Sequence, residues 1–290
     1  MAKLSLPIII SLLAVMAIAM VPQEAEATFL LWDDGVNHWE IDWKYTETEH
    51  FVIYWYPEEE NTARQLLAIA EDIYEHDSRI WNYELTDKIV VVLLDTEDYA
   101  NGFAAHNFNW ITIWASHLYD VTRGRTDWLA DCFSHELGHI ISLKAGSVFR
   151  ENMLGILIGG SRTSRKYNFD MGAGLLYGTE TLPTWMVEGA AQFSSMTYGA
   201  DPYDTHREML VRGAVIDDHL LSMDEMDIIY DKNSLQAEMV YNQGFSMNAW
   251  IGETWGLDAP ARMWHEVGVG AYPTYHRMLK KELGVDRETL

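Results

Sequence analysis

The chain has 290 residues, of which 48% are hydrophobic, so it can bury a substantial core and fold as one globular unit. Its formal net charge of -24 argues against nucleic acid or an anionic lipid surface as the main partner, since both would repel an acidic protein. Cys132 is the only cysteine, which excludes an intrachain disulfide and the class of disulfide-stapled secreted domains.

The first residues are typical of a secretory signal. Lys3 precedes an uncharged run over residues 4–23, and Ala-Glu-Ala at 25–27 offers the small residues that a signal peptidase reads. We predict a signal peptide over residues 1–27 and a secreted or periplasmic mature protein in a bacterial envelope, with no stable membrane insertion after cleavage. The alternative is an uncleaved anchor, although the run is barely long enough to span a bilayer and contains Pro7.

Residues 28–145 are predicted to form an N-terminal α/β lobe with a mixed sheet. Beta-branched and aromatic runs indicate strands, while apolar residues at helical spacing indicate an amphipathic helix between the first two. The expected elements are strands over residues 51–56, 89–94 and 109–116, a helix over about 60–83, and a turn at Asn101 and Gly102.

A largely buried helix is predicted over residues 126–145. Apolar side chains recur along this segment with helical spacing and cover much of its surface. Thr126 is expected to cap the N-terminus of the helix, and Gly146 to end it.

This helix contains the sequence His-Glu-Leu-Gly-His over residues 135–139. His135 and His139 are one turn apart on the same face, so both imidazoles can bind one metal ion, which is usually zinc. Glu136 is then placed as a general base toward a metal-activated water. Cys132 is expected to pack one turn below the metal, with a fourth-ligand role as the alternative. The alternative is a buried helix that binds no metal, in which both histidines bond to neighbouring polar groups.

Glycines interrupt short apolar runs throughout residues 146–181, and no element is clear there. A connection of this length inside a compact domain is often functional. We expect either a lid or substrate wall over the metal, or a pair of short helices packed on the lobe.

Residues 182–290 are predicted to form a mainly helical C-terminal lobe that supplies the third metal ligand. Glu188 follows a helix start at Pro183 and lies among apolar residues, where a carboxylate is costly to bury unless it has a partner such as a metal. The alternatives are that Glu188 is exposed and that His206 or His219 is the ligand. Helices are expected at about 183–198, 203–214, 233–255, 258–267 and 272–283.

The pattern Trp-x-x-Glu-Gly-x-Ala over residues 185–191, downstream of His-Glu-x-x-His, resembles the peptidase-MA-like gluzincins, relatives of thermolysin and the M1 aminopeptidases. Residues 48–54 resemble the opening strand of these domains, and residues 241–246 resemble their Tyr-x-x-Gly-x-Ser segment. The resemblance runs over most of the mature chain. The chain departs from it at Gln192, where relatives often carry an acid that orients a histidine.

The resemblance implies a zincin-like α+β fold, with His135, His139 and Glu188 as zinc ligands and Glu136 as the catalytic base. It also implies Tyr241 as a transition-state donor, with a role as a core aromatic as the alternative. Residues 109–116 are expected to form the edge strand on which an extended peptide pairs. The expected function is a secreted zinc metallopeptidase acting on peptide or protein substrates. The alternative is an inactive gluzincin-fold binding or scaffolding module of the bacterial envelope.

Overall fold

The computed structural model describes the backbone of most of the chain after residue 39. The described residues are 40–96, 100–117, 126–146, 153–163, 166–176, 182–201, 205–229, 232–267, 275–286 and 290. The predicted signal peptide over residues 1–27 therefore lies outside the described residues. Within the described part, no helix has both the length and the apolar character needed to cross a membrane.

Five strands form a mixed sheet: β1 (Lys44–Glu47), β2 (Phe51–Trp55), β3 (Ile89–Leu94), β4 (Gly102–Ala105) and β5 (Trp110–Trp114). Their order across the sheet is β1-β2-β3-β5-β4. Strands β2, β3 and β5 run parallel to one another, while β1 pairs antiparallel with β2 at one side of the sheet and β4 pairs antiparallel with β5 at the other.

One face of the sheet packs against two long helices to form the main core. Helix α1 (Glu60–Trp81) presents Leu66, Ala70 and Ile73 to the sheet at helical spacing, and all three are fully buried. Helix α2 (Trp128–Ala145) is buried nearly all round, as its apolar composition predicts. Fully buried strand residues complete this core: Phe51, Ile53, Ile89, Val91, Leu93, Ile111 and Ile113.

The remaining described helices form the C-terminal part of the molecule. They are α3 (Thr184–Tyr198), α4 (Thr205–Ile216), α5 (Ser234–Trp255), α6 (Ala259–Val267) and α7 (Tyr275–Met278), which continues as a π-helical turn (Leu279–Leu283). Helix α3 belongs to two cores, because Ala190 and Phe193 pack in the main core while Trp185 and Met186 pack in a second core among the C-terminal helices. Glu188 lies between these two pairs.

The architecture agrees with the predicted α+β class, since a five-stranded mixed sheet is combined with a majority of helices. The predicted helices are observed with ends shifted by a few residues. The N-cap of α2 differs from the prediction, because the Asp127 carboxylate, and not Thr126, accepts the Ala130 N–H at 3.5 Å.

One strand prediction and one turn prediction were wrong. Residues 109–116 do not form an edge strand, because β5 lies between β3 and β4 in the sheet. The predicted turn at Asn101 and Gly102 is instead the entry to β4, which begins at Gly102 and forms the edge itself. Strands β1 and β4 were not predicted, since four residues are too few for an alternating pattern to stand out.

The segment that was expected to hold a lid or two short helices contains a β-hairpin. Strands β6 (Met153–Thr163) and β7 (Lys166–Leu176) pair antiparallel over their whole length, from Met153 opposite Leu176 to Thr163 opposite Lys166. The short-helix alternative was therefore wrong for these residues. The lid function stays a prediction.

Candidate metal centre

Helix α2 presents the two predicted histidines to one point. His135 and His139 are one turn apart, and their Nε2 atoms face each other at 3.0 Å. Each imidazole side chain is about 12% exposed, so the centre is largely buried. Their rings are nearly perpendicular, with centroids 4.6 Å apart.

A close crossing of α2 and α3 brings Glu188 to these histidines. A Cβ built on Gly138 would lie 2.8 Å from the Ser194 hydroxyl oxygen and 3.2 Å from the Cα of Ala191. Only glycine therefore allows the two helices to approach so closely at this point. Glu188 lies about one turn before Ala191, on the same side of α3, and its carboxylate reaches the two histidines.

The three side chains form a triangle of ligand atoms. Glu188 Oε2 lies 3.4 Å from His135 Nε2 and 3.2 Å from His139 Nε2. Three ligands bound to one zinc ion at tetrahedral angles would lie roughly 3.3–3.6 Å apart, given bonds of 2.0–2.2 Å. The donor set and its spacing therefore fit a zinc ion after shifts of a few tenths of an ångström. Among the described residues, His135, His139 and Glu188 form the group whose ligand atoms lie close enough together to hold a metal ion, called the metal-capable group below.

The alternative ligands do not take part. His206 and His219 are both exposed and do not belong to the metal-capable group. Cys132 is buried one turn before Glu136 and also lies outside this group, as its predicted packing role requires.

Glu136 lies on the same helix beside the first histidine, and its side chain packs against the edge strand. It is 6% exposed. A Cβ built on Gly102, the first residue of β4, would lie 2.5 Å from Glu136 Oε1 and 2.5 Å from Cys132 Sγ. The absence of a side chain at Gly102 therefore leaves the room that the Glu136 carboxylate occupies.

The electrostatics of the centre follow from burial and from the charges packed together there. Burial raises the pKa of Glu136 to about 8, and the neighbouring carboxylates Glu188 and Asp131 add to this effect. Burial also acts to raise the pKa of Glu188, but the two histidines outweigh it and hold that pKa well below its usual range. The carboxylate of Glu188 is therefore ionised, as a carboxylate must be to bind a metal ion.

Tyr241 is brought beside the centre by a second close helix crossing. A Cβ on Gly189 would lie 2.3 Å from the Gly244 carbonyl oxygen, and one on Gly244 would lie 2.4 Å from the Trp185 carbonyl oxygen. Helices α3 and α5 therefore touch through their backbones next to Glu188. The Tyr241 ring lies 6.3 Å from the His135 ring, centroid to centroid.

Gln192 does not orient a ligand histidine. Its amide donates to Asp201 Oδ2 at 2.8 Å, and its carbonyl oxygen accepts from Arg207 at 3.4 Å. Among the described residues, the Nδ1 atoms of His135 and His139 are buried and have no hydrogen-bond partner. Gln192 belongs instead to a different buried cluster, with Asp201 and Arg207.

Sequence reasoning missed the glycines that shape the centre. Gly102 was interpreted as a turn residue, and Gly138 only as an uncharged residue between the ligands. His106 was not singled out either, although burial together with the nearby charge of His139 lowers its pKa to about 4. No local pattern marks these residues, because each acts through a contact with a distant element.

Comparisons with known proteins do not assign a family. No protein-family model matches this chain, and no curated protein matches it significantly.

Proposed function

We propose that this chain is an exported zinc-dependent peptidase of the gluzincin type, with a zincin-like fold. The observation that carries the proposal is the triangle of His135 Nε2, His139 Nε2 and Glu188 Oε2, with edges of 3.0, 3.4 and 3.2 Å. Three protein ligands leave one tetrahedral position open, which is typical of catalytic zinc and not of structural zinc.

Glu136 is the residue that performs the proton transfers. A bound zinc ion would lower the pKa of a coordinated water and polarise the scissile carbonyl of the substrate. Glu136 would take the proton as general base and pass it to the leaving amine. Burial raises the pKa of Glu136 to about 8, and a dication at the neighbouring ligands would favour the ionised form that a base requires.

Tyr241 is the candidate donor to the oxyanion that develops on the substrate carbonyl. Its ring lies beside the His135 ring, on the side of the centre that α5 forms. A phenol is an effective donor to such a charge when it is held in place before the reaction. Helix α5 is held in this way, because it contacts α3 through Gly189 and Gly244.

Strand β4 is the candidate platform for the substrate. It is the outermost strand on its side of the sheet, and no strand among the described residues pairs with its other edge. Its first residue, Gly102, contacts Glu136 directly, so a peptide that adds to this edge would pass the catalytic base. Pairing through backbone atoms suits a peptide or protein substrate.

Export is part of the same proposal. Residues 1–27 have the composition of a signal peptide, and the single cysteine suits a bacterial periplasm or the exterior. The acidic net charge makes nucleic acid an unsuitable partner.

The test compares wild type with Glu136→Gln, using Glu253→Gln as a control at an exposed glutamate on α5. Bound zinc is measured together with cleavage of a peptide library. We expect all three proteins to bind one zinc ion, and Glu136→Gln alone to lose activity by about 10²–10⁴-fold. Zinc binding without cleavage in any of them would favour the binding or scaffolding module. A wild-type protein without affinity for zinc would contradict both.

A further inference from the structure

A buried polar cluster lies directly behind the proposed centre. It consists of Arg207, Asp201, Gln192 and Asn242, which are 1%, 0%, 2% and 0% exposed. None of the four belongs to the metal-capable group. A buried arginine is unusual, because an arginine is almost never fully buried unless it is paired.

The contacts of Arg207 join three helices. Its guanidinium pairs with Asp201 Oδ2 at 2.8 Å and donates to Gln192 Oε1 at 3.4 Å and to Asn242 Oδ1 at 3.1 Å. The guanidinium carbon also lies 5.5 Å from the centroid of the Phe245 ring. Arg207 itself lies on α4, whereas Gln192 lies on α3 and Asn242 on α5.

Two of these contacts, those to Gln192 and Asn242, end beside a residue of the centre. Gln192 lies one turn beyond Glu188 on α3, and Asn242 follows Tyr241 directly on α5. The cluster therefore connects the helix of the proposed third ligand with the helix of the candidate oxyanion donor.

The cluster adds a third helix to a close crossing. Helices α3 and α5 touch through Gly189 and Gly244, and side chains also pack there, since a Cβ on Gly252 of α5 would lie 3.0 Å from the Phe193 ring of α3. Arg207 bonds to both helices from α4. A buried ion pair adds little net stability compared with a well-packed apolar cluster, and specifying the register between elements is its best-attested use. The planar arginine fork suits this role because it bonds in several directions at once.

We propose that Arg207 is a positioning residue that holds Glu188 and Tyr241 in register, acting on the ligand through Gln192 and on the tyrosine through Asn242. This inference rests on the proposed function. It predicts that the two branches of the cluster can be separated: one affects zinc affinity, and the other affects turnover.

The experiment uses the exported protein with Gln192→Met, Asn242→Leu and Arg207→Lys. The control is Tyr74→Phe, which removes the partly buried hydrogen bond that Leu85 N–H donates at 3.0 Å to the Tyr74 hydroxyl of α1. Zinc affinity is measured by competition with a chromophoric chelator, turnover at saturating zinc, and stability by the urea midpoint. Arg207→Lys keeps the charge beside Asp201 and so serves as the mildest variant if the others fold poorly.

We expect Gln192→Met to weaken zinc binding about 10-fold or more, as the loss of supporting contacts around metal ligands does, with kcat retained at saturating zinc. Asn242→Leu is expected to lower kcat at least 10-fold with zinc affinity and KM unchanged, and Arg207→Lys to impair both. Tyr74→Phe should shift only the urea midpoint.

Equal effects of all four variants on the midpoint, with zinc affinity and kcat unchanged, would overturn the inference. An active wild type with this result would leave the proposed function intact, whereas a wild type that binds no zinc would overturn both.

Discussion

Replacing Gly102 with alanine would place a methyl group where the side chain of Glu136, the proposed general base, now lies. The new Cβ would be 2.5 Å from both Glu136 Oε1 and Cys132 Sγ, and 2.9 Å from the Glu136 Cγ. All three atoms belong to side chains, so they can move without breaking the backbone of α2. Of the three, Glu136 Oε1 lies at the far end of its side chain, so rotation about the side-chain bonds can move it furthest.

The size of the effect follows from these contacts. Ordinary van der Waals contact begins at 3.4 Å, so Glu136 Oε1 must move by about 0.9 Å to relieve a contact of 2.5 Å. A misplacement of about 1 Å in a catalytic group costs roughly 10²-fold in rate. The overpacking itself costs about 1–3 kcal/mol of the free energy of unfolding. We therefore expect kcat to fall about 10²-fold while zinc affinity stays unchanged.

Gly213→Ala on α4 is the matched control. A Cβ built on Gly213 meets no atom within 4 Å, so the same substitution is expected to leave kcat unchanged and to stabilise the protein by about 0.4–1 kcal/mol. The assays are zinc competition, steady-state cleavage of a peptide and urea unfolding.

A Gly102→Ala protein whose kcat stays within threefold of wild type would refute this reasoning. It would mean that Glu136 does not need its observed position, or that it is not the base. Loss of zinc along with activity would mean that the substitution disturbs the three proposed ligands as well as Glu136.

Three further predictions concern the ligand and two buried groups. Glu188→Gln should weaken zinc binding by more than about 10²-fold in chelator competition, since even supporting residues around a metal cost 10–100-fold; unchanged affinity would exclude Glu188 as a ligand. Burial raises the pKa of Asp77 to about 6, above its ordinary value of 3.8, despite a hydrogen bond with His76. The native state therefore holds this proton more tightly, and the free energy of unfolding should fall as the pH rises from about 4 to about 6. Asp77→Asn should lack this fall and be more stable at pH 8 by up to about 3 kcal/mol in urea titrations, whereas an unchanged pH profile would contradict the assignment. Tyr74→Phe leaves the Leu85 N–H without its acceptor and should cost about 1–3 kcal/mol, so a neutral effect would show that water replaces the phenol.

The parts of this molecule that could be predicted from sequence are those determined by short-range periodicity. Helix α2 repeats its apolar pattern over five turns, and two histidines at positions i and i+4 share a face whatever the rest of the fold does. Glu188 was predictable because a carboxylate among buried apolar residues requires a partner, and the structure places it beside both histidines.

The parts that were missed depend on contacts between distant residues. Strand β4 has four residues and is defined by its pairing with β5 and its contact with α2, neither of which leaves a local pattern. The hairpin of β6 and β7 was not recognised because glycines dilute the alternation of its strands. The polar partners of Arg207 are 6 to 35 residues away in sequence, so its burial could not be inferred from its neighbours.

The central claim is that His135, His139 and Glu188 hold one zinc ion in a hydrolytic centre. Anomalous diffraction at the zinc absorption edge, on crystals of the exported protein grown with zinc, tests it most directly. We expect one strong peak about 2.0–2.2 Å from both Nε2 atoms and from the Glu188 carboxylate, with the fourth position open beside Glu136. The absence of a peak at this position, or a peak that lacks Glu188 as a ligand, would contradict the account.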